Sequence, residues 1–179
     1  MKLLRTIRLD PSDTFVFERA AVPGEWAVPG TFAFAPMDVA RLEGKARAAF
    51  RSGFLGIDSL GWSTLVVVAE ASEEERIAAV ERLAQRLVER FGAPDLAVAR
   101  GAAEEELGFA ASLSSHPEGT VIALARKHEN GDVCESFRTL APGITINPKR
   151  AFAFTDTAEE ETAPAEEIDL LALAKEKRP

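Results

Sequence analysis

The chain has 179 residues, 46% of them hydrophobic and 28% charged, which suits an ordinary globular protein of one domain with a short appendage. Its 21 basic and 29 acidic residues leave a net charge of −8, a poor surface for neutralising nucleic-acid phosphates or anionic lipid. The one cysteine, Cys134, excludes an intramolecular disulfide, and no apolar run approaches the roughly 20 residues of a membrane helix, so a cytoplasmic protein with no membrane and no nucleic-acid partner is expected.

Leu4-Arg5-Thr6-Ile7-Arg8-Leu9 alternates as a half-buried strand does and runs into the turn signal Asp10-Pro11-Ser12-Asp13. Thr14 to Glu18 then reads as a second strand with Phe15 and Phe17 on one face. Pro23-Gly24 and Pro29-Gly30 bracket Trp26 and Val28, and the aromatic alternation at Phe32 and Phe34 extends the pattern, so residues 3–35 are expected to form a meander of three or four strands. Asp38 is a plausible N-cap for a helix over 38–52, in which Val39, Leu42, Ala46, Ala49 and Phe50 share a face and Gly53 supplies the stop. The glycine-punctuated stretch from Ser52 to Ser63 reads as loop.

Leu65 to Ala69, with three consecutive valines, has the composition of a central strand. Ser72 and Glu75 form a capping box, and Glu73 and Glu74 put negative charge where the helix dipole is positive. The helix they start carries Ile77, Val80, Ala84, Leu87 and Phe91 on one stripe and closes at Gly92 and Pro94. Asp95 caps a further helix to residue 113, in which Gly101 and Gly108 each cost about 1 kcal/mol relative to alanine and suggest a break near Arg100-Gly101. Asn130-Gly131 between two β-rich runs predicts a hairpin with a type I′ turn. That register sets Glu129 against Asp132, a repelling pair, and Arg126 against Glu135, a complementary one.

Residues 156–179 hold eight acidic and three basic residues, a net charge of −5 that leaves −3 for residues 1–155. The expected organisation is a single α+β domain over 1–155, followed over 156–179 by an acidic linker and a short C-terminal amphipathic helix with Ile168 and Leu171 on one face. A short strand is possible at Ala151 to Phe154. The fold expectation is an antiparallel or mixed sheet of five to seven strands packed on one face by two or three helices, an order that from Leu65 onward resembles part of a ferredoxin-like unit.

No set of residues amounts to a catalytic or cofactor signature, and no cofactor is expected. The segment from Gly53 through Gly56, Ser59, Gly61 and Trp62 to Ser63 could cradle an anion or acyl group, because glycines let backbone amides approach closely. It lacks the Gly-Lys-Ser/Thr of a P-loop and runs from helix to strand, the reverse of a Rossmann turn, so a helix stop followed by turns is the competing account. His116 is the titratable side chain offered as a companion to this loop. His128 and Cys134 would sit on opposite faces of the hairpin and fit no zinc spacing, so no metal is expected. Glu73 to Glu75 and Glu104 to Glu106 read as solvated helix faces rather than acid-base pairs, and Cys134 as a small strand residue rather than a nucleophile. The tail helix, through Ile168 and Leu171, could dock a protein partner or pack on its own domain.

Leu3-Leu4-Arg5-Thr6-Ile7-Arg8-Leu9-Asp10 with Phe15-Val16-Phe17, Gly24-Glu25-Trp26 and Gly61-Trp62-Ser63 resembles a family of small proteobacterial proteins known only as a domain of unknown function. The resemblance covers residues 1 to about 155, carries no catalytic motif onto any position, and implies an accessory role. Two functions follow as expectations: a non-enzymatic accessory or protein-interaction protein, or a small-molecule-binding transferase or hydrolase using the Gly53–Ser63 loop.

Overall fold

A computed structural model describes residues 1–140 and the backbone of residues 155–156. Its centre is an antiparallel sheet in the order β4-β3-β2-β1-β5-β6-β7-β8. The strands are β1 (Lys2–Ile7), β2 (Trp26–Val28), β3 (Phe54–Gly56), β4 (Trp62–Ser63), β5 (Leu65–Glu70), β6 (Val121–Glu129) and β7 (Asp132–Leu140). To these seven, the two-residue β8 (Thr155–Asp156) adds at the edge of β7, where composition alone suggested the start of a linker. Helices α1 (Ser12–Val16), α2 (Gly44–Ser52), α3 (Glu73–Arg90) and α4 (Leu96–Leu113) complete an α+β fold.

The valine-rich β5 lies inside the sheet between β1 and β6, as its composition requires. Val66 and Val68 are buried on one side, while Val67 between them is half-buried. The Ser72 hydroxyl accepts from the Glu75 amide at 3.2 Å and the Glu75 carboxylate accepts from the Ser72 amide at 2.9 Å, so the capping box forms in full. Helices α3 and α4 pack on each other, and α4 lies against β1 and β2. Alanines make this close approach possible: Ala99, Ala103 and Ala110 are fully buried and leave no side-chain bulk between helix and neighbours. One core cluster joins Leu3, Leu4, Val66, Val68, Leu83, Leu107 and Ile122 across sheet and helices. A smaller one gathers Phe17, Phe34 and Phe50 beneath α2.

Five expectations need correction. Residues 12–16 are helical rather than a strand, because the Asp10 carboxylate accepts from the Ser12 amide and starts a helical turn. Asp13 then reaches Thr64, accepting from its hydroxyl at 2.5 Å. The turn separates the two phenylalanines: Phe15 is exposed and Phe17 fully buried. Phe32 and Phe34 sit in a 3-10 turn over Thr31–Phe34, entered through Gly30 at φ +74°, and pack in different directions, Phe32 on Phe91 and Phe34 on Phe50 and Trp62. The helix expected over 38–52 is split. A 3-10 turn over Val39–Arg41, capped by Asp38, is followed by extended Leu42 and Glu43 before α2 begins. Finally, residues 54–63, read as loop, contain the β3–β4 hairpin, and α4 runs unbroken through Gly101, whose missing side chain faces open space.

Asn130 and Gly131 both take positive φ, +54° and +89°, and β6 pairs with β7 in the register read from the turn. Glu129 stands opposite Asp132, and Arg126 opposite Glu135. Among the described residues no helix is long and apolar enough to cross a membrane.

Candidate functional site

The glycine-rich segment owes its form to a buried carboxylate. Glu25, 8% exposed, reaches from the residue before β2 into the β3–β4 turn. It accepts from the Asp58 amide at 2.7 Å, the Ser59 amide at 2.8 Å, the Val22 amide at 2.7 Å and the Ser59 hydroxyl. The amides that could have cradled an external anion are therefore already turned on the protein's own carboxylate.

Each glycine here is set by a near contact. A Cβ on Gly56 would stand 2.4 Å from Glu25 Oε1, and one on Gly61 2.4 Å from the Ala20 carbonyl oxygen. A Cβ on Gly53 would lie 2.8 Å from both the Ala49 carbonyl and the Trp62 ring. Trp62 is half-buried with its ring stacked on Phe34 at 5.1 Å. Ser63, buried, donates to the carbonyls of Ile7 and Leu65.

His116 does not join this group. Its carbonyl accepts from the Lys2 ammonium at the first residue of β1, whereas Ser63 is bonded to Ile7 at the last. The two ends of that strand are about 16 Å apart at roughly 3.3 Å per residue. The neighbouring Ser114 hydroxyl is buried and donates to the Ala110 carbonyl.

A second buried charge organises the other side of the molecule. Arg126 on β6 has no exposed side-chain surface. It donates to the carbonyls of Phe50 at 3.1 Å and Gly53 at 2.9 Å, to the Pro29 carbonyl, to Thr31 Oγ1 at 2.9 Å and to Glu135 Oε1 at 2.7 Å. Thr31 in turn donates its hydroxyl to Glu135. The guanidinium thus ties the C-terminal end of α2, the entry to the Thr31–Phe34 turn and the β6–β7 hairpin into one junction. Glu106 of α4 faces the same group. Burial first, then the Glu135 charge, raises its pKa above the ordinary carboxylate value.

Beside this junction lies an open cleft of about 430 Å³. One wall is the segment from Thr31 to Val39, contributing Phe32, Phe34 and Met37; the other is the hairpin tip, contributing His128 and Val133. Met37 is 49% and Val133 38% exposed, so two apolar side chains stand at its mouth. Thr31 and Phe34 belong both to the cleft wall and to the surroundings of Arg126, whose guanidinium carbon lies 5.9 Å from the Phe34 ring centre. Among the described residues, no three His, Cys, Asp or Glu side chains gather where a metal ion could be held. His128 faces Val133, and Cys134 faces Lys127. Ile168 and Leu171 lie outside the described residues.

A family model matches residues 1–162, which is most of the chain and all of the elements above. The chain belongs to the family of unknown function DUF6505. No curated protein and no solved structure matches it. For this DUF6505 chain the sequence reading missed the cleft, since residues 31–39 and 128–133 are brought together only by the folded sheet. It also missed Glu25, which no local pattern marks. The one usable signal was the Asn-Gly turn, whose register sets Arg126 against Glu135.

Proposed function

We propose that this protein is a non-enzymatic accessory protein that holds an apolar segment of a protein partner in the cleft between residues 31–39 and the hairpin tip. The observation that carries the reading is that cleft: apolar walls, two exposed apolar side chains at the rim, and one wall fixed from behind by the Arg126 junction. Rigid walls favour binding, because less conformational freedom is lost when the partner docks. The polar groups best placed for chemistry elsewhere are committed to structure: Glu25 to the β3–β4 turn, Asp13 to Thr64, and Arg126 to five acceptors.

The test is a Met37→Glu/Val133→Glu double variant set beside Val98→Glu, which alters an exposed valine on α4. Both should keep the far-ultraviolet spectrum of the parent. In quantitative affinity capture from the native cell extract, the cleft variant should lose at least one partner that Val98→Glu retains. Identical partner sets would overturn the reading. A thermal-shift panel of metabolites supplies a control: a small ligand at 100 times its dissociation constant would add about 2.7 kcal/mol, and a hit abolished by the cleft variant would replace a protein partner with a small molecule.

A further inference from the structure

A second recess, sharing no residue with the cleft, lies between α3 and the start of β2. Its volume is about 150 Å³. An apolar cavity of about that size holds a molecule of benzene, so a six-membered ring or a branched aliphatic group fills it. The apolar lining is the buried Ile57 and Ala79 and the half-buried Trp26. The Trp26 ring is held by the Arg5 guanidinium, whose central carbon stands 3.7 Å from the ring centre.

The charged groups around this recess divide into those already engaged and one pair that is not. Glu75 accepts from Arg5 Nη2 at 3.0 Å with one oxygen and from the Ser72 amide at 2.9 Å with the other. Arg5 also donates to the Gly24 carbonyl. Arg86, one turn along α3, gives its terminal nitrogens to the Asp58 carbonyl and to Glu89. Glu25, beneath the turn, is surrounded by the amides of Val22, Asp58 and Ser59. Arg82 and Asp58, which both line the recess, differ from these. Their closest approach is 3.1 Å, from Nε to Oδ1, with more than half of each side chain exposed. Neither side chain forms a hydrogen bond with a described residue. An exposed pair of this kind contributes little stability and rearranges readily. A guanidinium and a carboxylate with bonding capacity to spare thus stand side by side at an apolar recess, and together they carry no net charge. They complement a molecule that bears a carboxylate, an ammonium and an apolar group on one carbon.

We propose that this recess binds a free apolar α-amino acid as its zwitterion. The carboxylate takes the terminal nitrogens of Arg82, the ammonium meets the Asp58 carboxylate, and the side chain lies against Trp26, Ile57 and Ala79. A planar guanidinium suits a carboxylate because it offers two parallel donors. The interior of a polypeptide has neither of the two ligand charges, since both groups are consumed in amides. The site therefore serves a small molecule and is independent of the partner cleft.

Trp26 and Trp62 are the only two tryptophans, and they report on different places. Trp26 lines the recess, whereas Trp62 stacks on Phe34 of the cleft wall. In the isotope-labelled full chain, L-leucine, L-methionine or L-phenylalanine should move the Trp26 indole signal saturably and leave that of Trp62 in place. N-acetyl-L-phenylalanine, without the ammonium, and phenethylamine, without the carboxylate, should each bind about tenfold or more weakly than L-phenylalanine. Arg82→Gln and Asp58→Asn should weaken the amino acid by a similar factor while keeping the parent's amide spectrum elsewhere. A Trp26 signal unmoved by all three amino acids at about 10 mM would overturn the proposal, since a ligand of 1 mM dissociation constant would then be about nine-tenths bound. So would equal binding of either single-charge analogue, or unchanged affinity in either variant. A Trp62 signal that moved in parallel would also overturn it, by placing the ligand at the cleft.

Discussion

Two buried charges of opposite sign hold the two halves of the sheet, and they do it by complementary means. Glu25 is an acceptor that gathers the free amides of a tight turn; Arg126 is a donor that gathers the free carbonyls at the end of a helix and the start of another turn. Irregular backbone leaves unpaired groups of both kinds, and a buried one without a partner costs as much as a lost hydrogen bond. The difference lies in compensation. Arg126 has a charged partner in Glu135 and a second carboxylate nearby in Glu106, whereas Glu25 is satisfied by backbone amides and one hydroxyl. The Arg126 side should therefore fail with a change of charge, and the Glu25 side with a change of shape.

Arg126→Ala is the harshest test, since it leaves Glu135 without its cation and three carbonyls without donors. We expect a loss of about 3–5 kcal/mol in urea denaturation, and Arg126→Lys to recover only part of it because an ammonium lacks the planar fork. Glu25→Ala should cost about 2–4 kcal/mol by the same measurement, through the orphaned amides of Val22, Asp58 and Ser59. Gly61→Ala tests shape alone: a new Cβ 2.4 Å from the Ala20 carbonyl should cost about 1–3 kcal/mol. Gly101→Ala in α4, where the same atom meets nothing, should instead stabilise by about 1 kcal/mol.

The smallest effect expected is set by pH. Because the folded protein raises the Glu106 pKa, the folded state holds that proton more tightly than the unfolded chain does. The stabilisation from this group is complete below its unfolded pKa and is lost as pH rises through the folded value. Glu106→Gln should accordingly have the higher melting temperature at pH 7, and the gap should close as the pH falls through the range where Glu106 takes up its proton. A gap that widened on acidification would show that Glu106 gains, rather than loses, by being charged beside Arg126.

Much of the regular structure was legible. The Ser72–Glu75 box marks the start of α3 because both halves of the reciprocal bond lie within four residues. Asn130-Gly131 defines the hairpin because only a residue pair tolerant of positive φ fits its turn. What escaped was set by distant contacts. Phe15 and Phe17 alternate as strand residues do, yet the Asp10 and Asp13 side chains turn that stretch into a helix. Residues 54–63 carry loop glycines, yet those glycines serve packing against Glu25, Ala20 and Trp62, and the backbone between them pairs. The same holds for the candidate sites. His116 and the glycine segment looked like companions in a list of polar residues, but they stand at opposite ends of β1.

The sheet finishes differently at its two margins. Beyond β4 the chain seals the ladder with itself: the Trp62 amide donates to the Arg19 carbonyl, and the Ala21 amide to the Trp62 carbonyl. On the opposite margin β8 pairs with two residues of β7, and the stretch from Asp132 to Ser136, paired with β6 on its inner side, has no strand on its outer side among the described residues. Its guard is electrostatic, with Asp132 at the start of the strand and Glu129 opposite it. High salt weakens such a guard while leaving the hydrogen-bonding groups of the strand intact. Self-association at high concentration would then begin along β7, as edge-to-edge pairing of two hairpins.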